Sequence, residues 1–192
     1  PNIRLSDEII ARRGAELAVV AEEAYQQLLK DNPDALHPVY IVGSEVPIPG
    51  GSQDAVETGL QVTKVSDFKQ TVAAFEKAFH DHQLDEAWKH VIGVVVQPGV
   101  EEKDAGCTPY DRSKAVDLMA SIKEYNNLVF EGHSTDYQTK ISLRELVEDG
   151  VGILKVGPGL TYMMREALFA LAYAEKELLK EHPEKQSHFM EV

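Results

Sequence analysis

Polar residues and glycines gather in four short runs of this sequence, and these runs hold the groups equipped for chemistry. They are Gly43-Ser44-Glu45, Gln97-Pro98-Gly99, Glu131-Gly132-His133-Ser134-Thr135-Asp136 and Lys155-Val156-Gly157-Pro158-Gly159. Each follows a short apolar stretch. Together they offer carboxylates, a carboxamide, an imidazole, hydroxyls and an amine. Gly132-His133-Ser134 and Gly157-Pro158-Gly159 have glycines that let backbone N–H groups approach an oxyanion, with Ser134, Thr135 or Lys155 as further donors. That chemistry suits a phosphorylated small molecule. The candidate ligand- and phosphate-binding residues are therefore Glu45, Gln97, Gly132, His133, Ser134, Asp136, Lys155 and Gly157. Any one of them reads equally well as an ordinary turn residue; recurrence in all four runs favours a shared pocket. Lys155, if strand alternation turns it inward, needs an acidic partner such as Glu131 or Asp136.

Other reactive residues are less promising. His80, His82, Glu86 and His90 flank the end of a helix and a turn, where solvated surface histidines are the ordinary occupants. At the ends of the apolar runs only His133, Glu45, Glu131 and Asp136 have metal-ligating side chains. A catalytic zinc usually takes three protein ligands, often histidines, and one well-placed histidine does not make such a site. No metal site is expected in this chain. Cys107 has no base beside it in sequence and reads as an incidental thiol. Trp88 reads as a core or lid residue. No phosphate-binding P-loop pattern occurs.

The elements that must position these residues alternate. Ser6 to Lys30 predicts a helix, with Ser6 as N-cap, Asp7 and Glu8 in the first turn, and Ile10, Leu17, Val20, Ala24 and Leu28 at helical spacing. Pro38 to Gly43 reads as a buried strand. Ser66 to His82 predicts a second helix, on Val65, Phe68, Val72, Phe75 and Phe79. Val91 to Val96 is the clearest strand. Asp111 to Lys123 reads as a helix and Leu128 to Phe130 as a strand. Ser142-Leu-Arg-Glu145 has the form of a capping box, with Thr139 as the alternative start and Gly150 as the terminator. Val151 to Val156 is a fourth strand. A closing helix carries Leu160, Met164, Ala167, Leu171, Ala174 and Leu178. Four strands separated by helices predict an α/β fold with a parallel sheet. Two architectures fit: a small doubly wound open sheet, or part of a (β/α)8 barrel. The barrel takes about 250 residues and eight strands, and a chain opening on a helix favours a segment of one. In either, ligands meet the carboxyl ends of the strands. Residues 1–192 are expected to form a single α/β domain.

Composition limits the partners. The 192 residues include 19 Lys and Arg against 32 Asp and Glu, a formal charge of −13. That balance argues against nucleic acid and against an anionic membrane surface, both of which need a basic patch. No apolar run approaches the roughly 20 residues of a membrane span. The single cysteine cannot form an internal disulfide, which points to the cytoplasm.

Four longer motifs carry a specific resemblance. Gly43-Ser-Glu-Val-Pro-Ile-Pro-Gly-Gly51, Val94-Val-Val-Gln-Pro-Gly99, Phe130-Glu-Gly-His-Ser-Thr-Asp-Tyr-Gln-Thr139, and Leu154-Lys-Val-Gly-Pro158 with Arg165-Glu-Ala-Leu-Phe-Ala-Leu171 follow one another in order. They closely resemble the non-catalytic subunit of class II D-tagatose-1,6-bisphosphate aldolase, a family that also carries the label tagatose-6-phosphate kinase. The resemblance covers almost the whole chain and matches the C-terminal portion of longer family members. It implies a (β/α)8 TIM-barrel fold to which this chain supplies about four βα units, the fifth to eighth strands. Catalytic class II aldolases hold zinc with histidines. At the corresponding sixth-strand position this sequence has Pro98, and at the seventh it has Glu131, with His133 two residues on. The resemblance therefore implies no catalytic residues and no cofactor here, with zinc in a separate catalytic class II aldolase subunit that this protein supports in galactitol or N-acetylgalactosamine catabolism. It also implies a sugar phosphate as possible ligand. The alternative is an enzyme acting on a phosphorylated ketose: an aldolase, an epimerase, or a tagatose-6-phosphate kinase.

Overall fold

The structure, a computed structural model, describes residues 5–43, 61–103 and 106–190. The chain separates into two compact units, Pro1–Lys155 and Val156–Val192. In the first, α1 spans Asp7–Asp31, β1 Tyr40–Val42, α2 Val65–Asp81, a one-turn α3 Asp85–Trp88 and β2 Val91–Val96. There follow β3 (Glu101–Lys103), β4 (Gly106–Thr108), α4 (Arg112–Ser121) with a 3-10 turn at Ile122–Glu124, β5 (Val129–Gly132), α5 (Lys140–Asp149) and β6 (Val151–Leu154).

The main sheet runs β1-β2-β5-β6, every neighbouring pair parallel. Strand order thus follows chain order, with no point at which the winding reverses. A doubly wound sheet is defined by such a reversal. Val94 pairs with Val42 on one side and Phe130 on the other, and Phe130 in turn with Val151. All four are buried in the core against Phe68, Phe75 and Phe79 of α2 and Leu118 of α4. The rings of Phe68 and Phe130 meet edge-on at 5.1 Å, which fixes the α2 side of β5. Alternation then turns the next residue, Glu131, to the opposite face.

Three local findings correct or refine the sequence reading. Helix α1 buries Ala11, Ala15 and Ala18, while Leu17 and Val20 of the larger apolar stripe stay exposed. The cause is close packing on α2: a Cβ at Gly14 would stand 2.7 Å from Phe75 Cε1. Small residues face α2 because only they leave room for its aromatic ring. Ser6 stands at the N-cap of α1 but makes no side-chain cap bond; its carbonyl accepts from Ile9 and Ile10 instead. In α5 the cap is Thr139, whose Oγ1 accepts from Ser142 N at 3.1 Å, so Ser142 lies inside the helix and not at its cap. Gly150 ends that helix in a left-handed conformation, as expected.

The antiparallel hairpin β3–β4 has no counterpart in the sequence reading. Trp88 packs edge-on against Phe79 at 5.4 Å. In the second unit, α6 spans Pro158–Leu178 and a 3-10 turn spans Pro183–Lys185. Ser187 donates through N and Oγ to Glu175 Oε2, which holds that carboxyl below its usual range, and Phe169 meets Phe189 edge-on. Within this unit the stripe residues Leu160, Met164 and Leu171 remain exposed. Among the described residues no helix is long and apolar enough to cross a membrane.

Candidate functional site

Because β2, β5 and β6 are adjacent and parallel, Gln97, His133 and Lys155 come out at the same edge of the sheet, the carboxyl one. Glu45 lies outside the described residues. Gly157 stands at the N-cap of α6, in the second unit.

The centre of the first unit's set is Glu131. The register places it in one row with Val95 and Ile153, and its side chain is only 3% exposed. A carboxylate buried among apolar neighbours is costly unless it is paired. Glu131 Oε1 has two partners: His133 Nε2 at 2.6 Å and Lys155 Nζ at 3.3 Å. The Lys155 side chain is 62% exposed, that of His133 17%. The short, sheltered contact to His133 therefore outweighs the longer, wetter one to Lys155. Lys155 is nonetheless well placed, because its backbone is held from both sides. Its N–H donates to Gly132 O, and its carbonyl accepts from Thr135 N and Thr135 Oγ1. Thr135 is itself fully buried.

The loop after β5 is shaped by close approach. A Cβ on Gly132 would lie 3.3 Å from Val151 Cγ1 and 3.5 Å from Pro98 Cγ. Ser134 and Tyr137 take positive φ, 53° and 60°, sparsely populated for residues other than glycine. Gln97 is turned onto its own loop: its Oε1 accepts from Gly99 N and Val100 N. Its carboxamide oxygen thus shapes a turn.

The hairpin β3–β4 is fastened to this same loop. Gln138 Nε2 donates to Thr108 O, its Oε1 accepts from Tyr110 N, and the Cys107 thiol points at Tyr137 O. Burial pushes the Glu102 carboxyl above its usual range, with the charge and hydrogen bond of Asp136 adding to the effect. Asp136 is 2% exposed. Sequence reasoning singled out Asp136 and named Thr135 as a further donor, but missed Glu102 and assigned no role to Gln138. A buried carboxamide fastening two loops has no local sequence signature; the alternation of Glu101-Glu102-Lys103 is too short to reveal a strand.

Among the described residues, no three His, Cys, Asp or Glu side chains converge as a metal-holding group. His80 pairs with Asp85, His82 Nδ1 contacts Ala78 O, and His90 stacks on His37, so the histidines near the α2 end are dispersed.

Parallel strands in chain order, with a buried carboxylate tying an imidazole and an amine at their carboxyl ends, define an α/β protein whose polar groups gather at the carboxyl edge of its sheet. The family model for "D-tagatose-1,6-bisphosphate aldolase subunit GatZ/KbaZ-like" matches residues 1–192, and the chain belongs to that family. A solved structure, of a probable tagatose 6 phosphate kinase from Sinorhizobium meliloti 1021, is similar with a TM-score of 0.73 and 40% identity. The match covers 94% of this chain and 40% of that one, so this chain spans about two fifths of that relative's length.

Proposed function

We propose that this chain is part of an accessory, non-catalytic subunit that supports the activity and stability of a cytoplasmic class II tagatose-1,6-bisphosphate aldolase in galactitol or N-acetylgalactosamine catabolism. Its strands are the fifth to eighth of a (β/α)8 barrel, a reading supported by a strand order that never reverses. The observation that carries the functional reading is the family match over the whole chain. The donor set agrees with it. A catalytic zinc needs several converging ligands and an open position. Here Pro98 brings no ligating side chain and His133 directs its Nε2 at Glu131. These residues do not fit a catalytic zinc; the metal belongs to the catalytic partner. The exposed Lys155 side chain and the loop residues His133 and Ser134 serve as a weak sugar-phosphate site.

The test is an aldolase assay on tagatose-1,6-bisphosphate with the purified catalytic subunit, with and without this protein. Added protein is expected to raise turnover and slow thermal inactivation of its partner, and by itself to be inert with or without zinc. Turnover by this protein alone would overturn the reading. It would favour an enzyme acting on a phosphorylated ketose, which the kinase name of the similar solved structure also suggests.

A further inference from the structure

Helix α1 has two faces able to pack, and the first unit uses one. Ala11, Ala15 and Ala18 are buried on the side that meets α2. The other side carries Ile9, Arg13, Leu17, Val20, Ala24 and Leu28, all of them exposed. At 3.6 residues per turn these six fall within a stripe about 100° wide. Leu17 is 73% exposed and Val20 61%. Scattered exposed aliphatic residues are ordinary, whereas a continuous stripe rimmed by charged side chains marks an interaction surface.

The order of the stripe says what fits it. Its steps are four, four, three, four and four residues, the same read from either end. A second α1 laid antiparallel therefore sets Leu17 against Val20, Ile9 against Leu28 and Arg13 against Ala24, each pair occurring twice about one two-fold axis. This is the self-complementarity that an isologous interface requires. Charge selects the direction. In a parallel pair Arg13 would face its own copy. In the antiparallel pair it meets the small Ala24, which leaves room for its aliphatic stem, and its guanidinium reaches the exposed Glu23 beside that alanine. Arg13 and Glu23 stand too far apart along one helix to pair within it.

We propose that this face of α1 binds a second copy of the chain, the two helices packing antiparallel along a seam about 28 Å long. A single helix pair covers less than the roughly 800 Å² per partner of a standard interface, so the dimer is weak, with a midpoint at about 10–100 μM.

Sedimentation of this chain between about 1 and 200 μM tests the proposal. The mass is expected to rise with concentration from 21.3 kDa toward twice that value. Leu17→Glu and Val20→Glu are expected to stay monomeric throughout. Both positions are exposed in the monomer, so at about 1 μM these variants should keep the wild-type circular dichroism and melting behaviour. Arg13→Glu and Glu23→Arg should each weaken association about tenfold, and the two together should restore it to within about threefold. A wild-type chain still monomeric at the highest concentration would assign the stripe to some other partner and overturn the proposal. Association that persists in Leu17→Glu and Val20→Glu would place the contact elsewhere, as on the exposed Leu160, Met164 and Leu171 of α6, and would overturn it too. So would a double charge reversal that is weaker than either single one, because Arg13 and Glu23 would then not face each other across the seam.

Discussion

Glu131 shows how one buried charge can organise a loop region. Its carboxylate has two cationic or potentially cationic partners of unequal shelter, so the two should be unequal in energy. Removing the acceptor by Glu131→Ala leaves His133 facing an empty space and is expected to cost roughly 2–4 kcal/mol. Removing the exposed amine by Lys155→Ala should cost less than about 1 kcal/mol. Urea denaturation at pH 7 measures both, and equal losses would show that Lys155 is more strongly engaged than its exposure implies. Glu102 offers a second case with the opposite sign. Its carboxyl is raised, by burial first and by Asp136 next, so the protonated form suits the folded state. The stability it contributes is present at acid pH and is lost as pH rises through the raised value. Glu102→Gln keeps a neutral donor facing Asp136, and should stabilise the chain by roughly 0.5–1 kcal/mol at pH 7 with little change at pH 4. A Tm difference that does not shrink toward acid would rule this account out.

At the scale of elements, the helices and strands were largely legible because their signals are local. Phe68, Val72, Phe75 and Phe79 recur at helical spacing and are all buried in α2. Val91–Val96 is a strand to the residue. What was not legible depends on neighbours distant in sequence. The apolar stripe of α1 gave its period correctly and its buried face wrongly, since no local pattern announces that Phe75 will press on Gly14. Likewise Gln97, Lys155 and His133 were legible as residues at strand ends, but not the division of labour among them. Gln97 turns inward on its own loop, and Glu131, named beforehand as one possible partner of Lys155, proves to have His133 as its closer contact. Two substitutions test the element-level account. Gly14→Val should force α1 away from Phe75 and destabilise the fold by about 1–3 kcal/mol, whereas Leu17→Ala, at an exposed position of the same helix, should change stability by less than about 0.5 kcal/mol. Thr139→Ala should cost about 1 kcal/mol through loss of the α5 cap, and Glu145→Ala, the last residue of the expected capping box, much less. Similar losses at Thr139 and Glu145 in chemical denaturation would restore the capping-box reading.

At the scale of the whole molecule, the formal charge of −13 sets a condition on any phosphorylated ligand. The long-range field repels a sugar bisphosphate, so the proposed binding would depend on short-range donors such as the Lys155 amine. Charge-assisted hydrogen bonds are worth about 1.5–3 kcal/mol each, enough for weak binding by two or three of them. Salt acts on the two contributions differently. The Debye length falls from about 30 Å at 0.01 M to about 8 Å at 0.15 M, which screens the distant carboxylates more than a contact at hydrogen-bond distance. Affinity for tagatose-1,6-bisphosphate should therefore hold steady or increase as salt is added over this range. Glu131 adds an internal competitor, because Lys155 must be shared between that carboxylate and the ligand. Glu131→Gln should thus tighten binding severalfold while lowering stability, and Lys155→Met should weaken binding about tenfold while leaving stability nearly unchanged. Calorimetry at the two salt concentrations, paired with denaturation of the same variants, reads both quantities. If Glu131→Gln loses affinity along with stability, the carboxylate is part of the ligand's own contacts and not a rival for the amine.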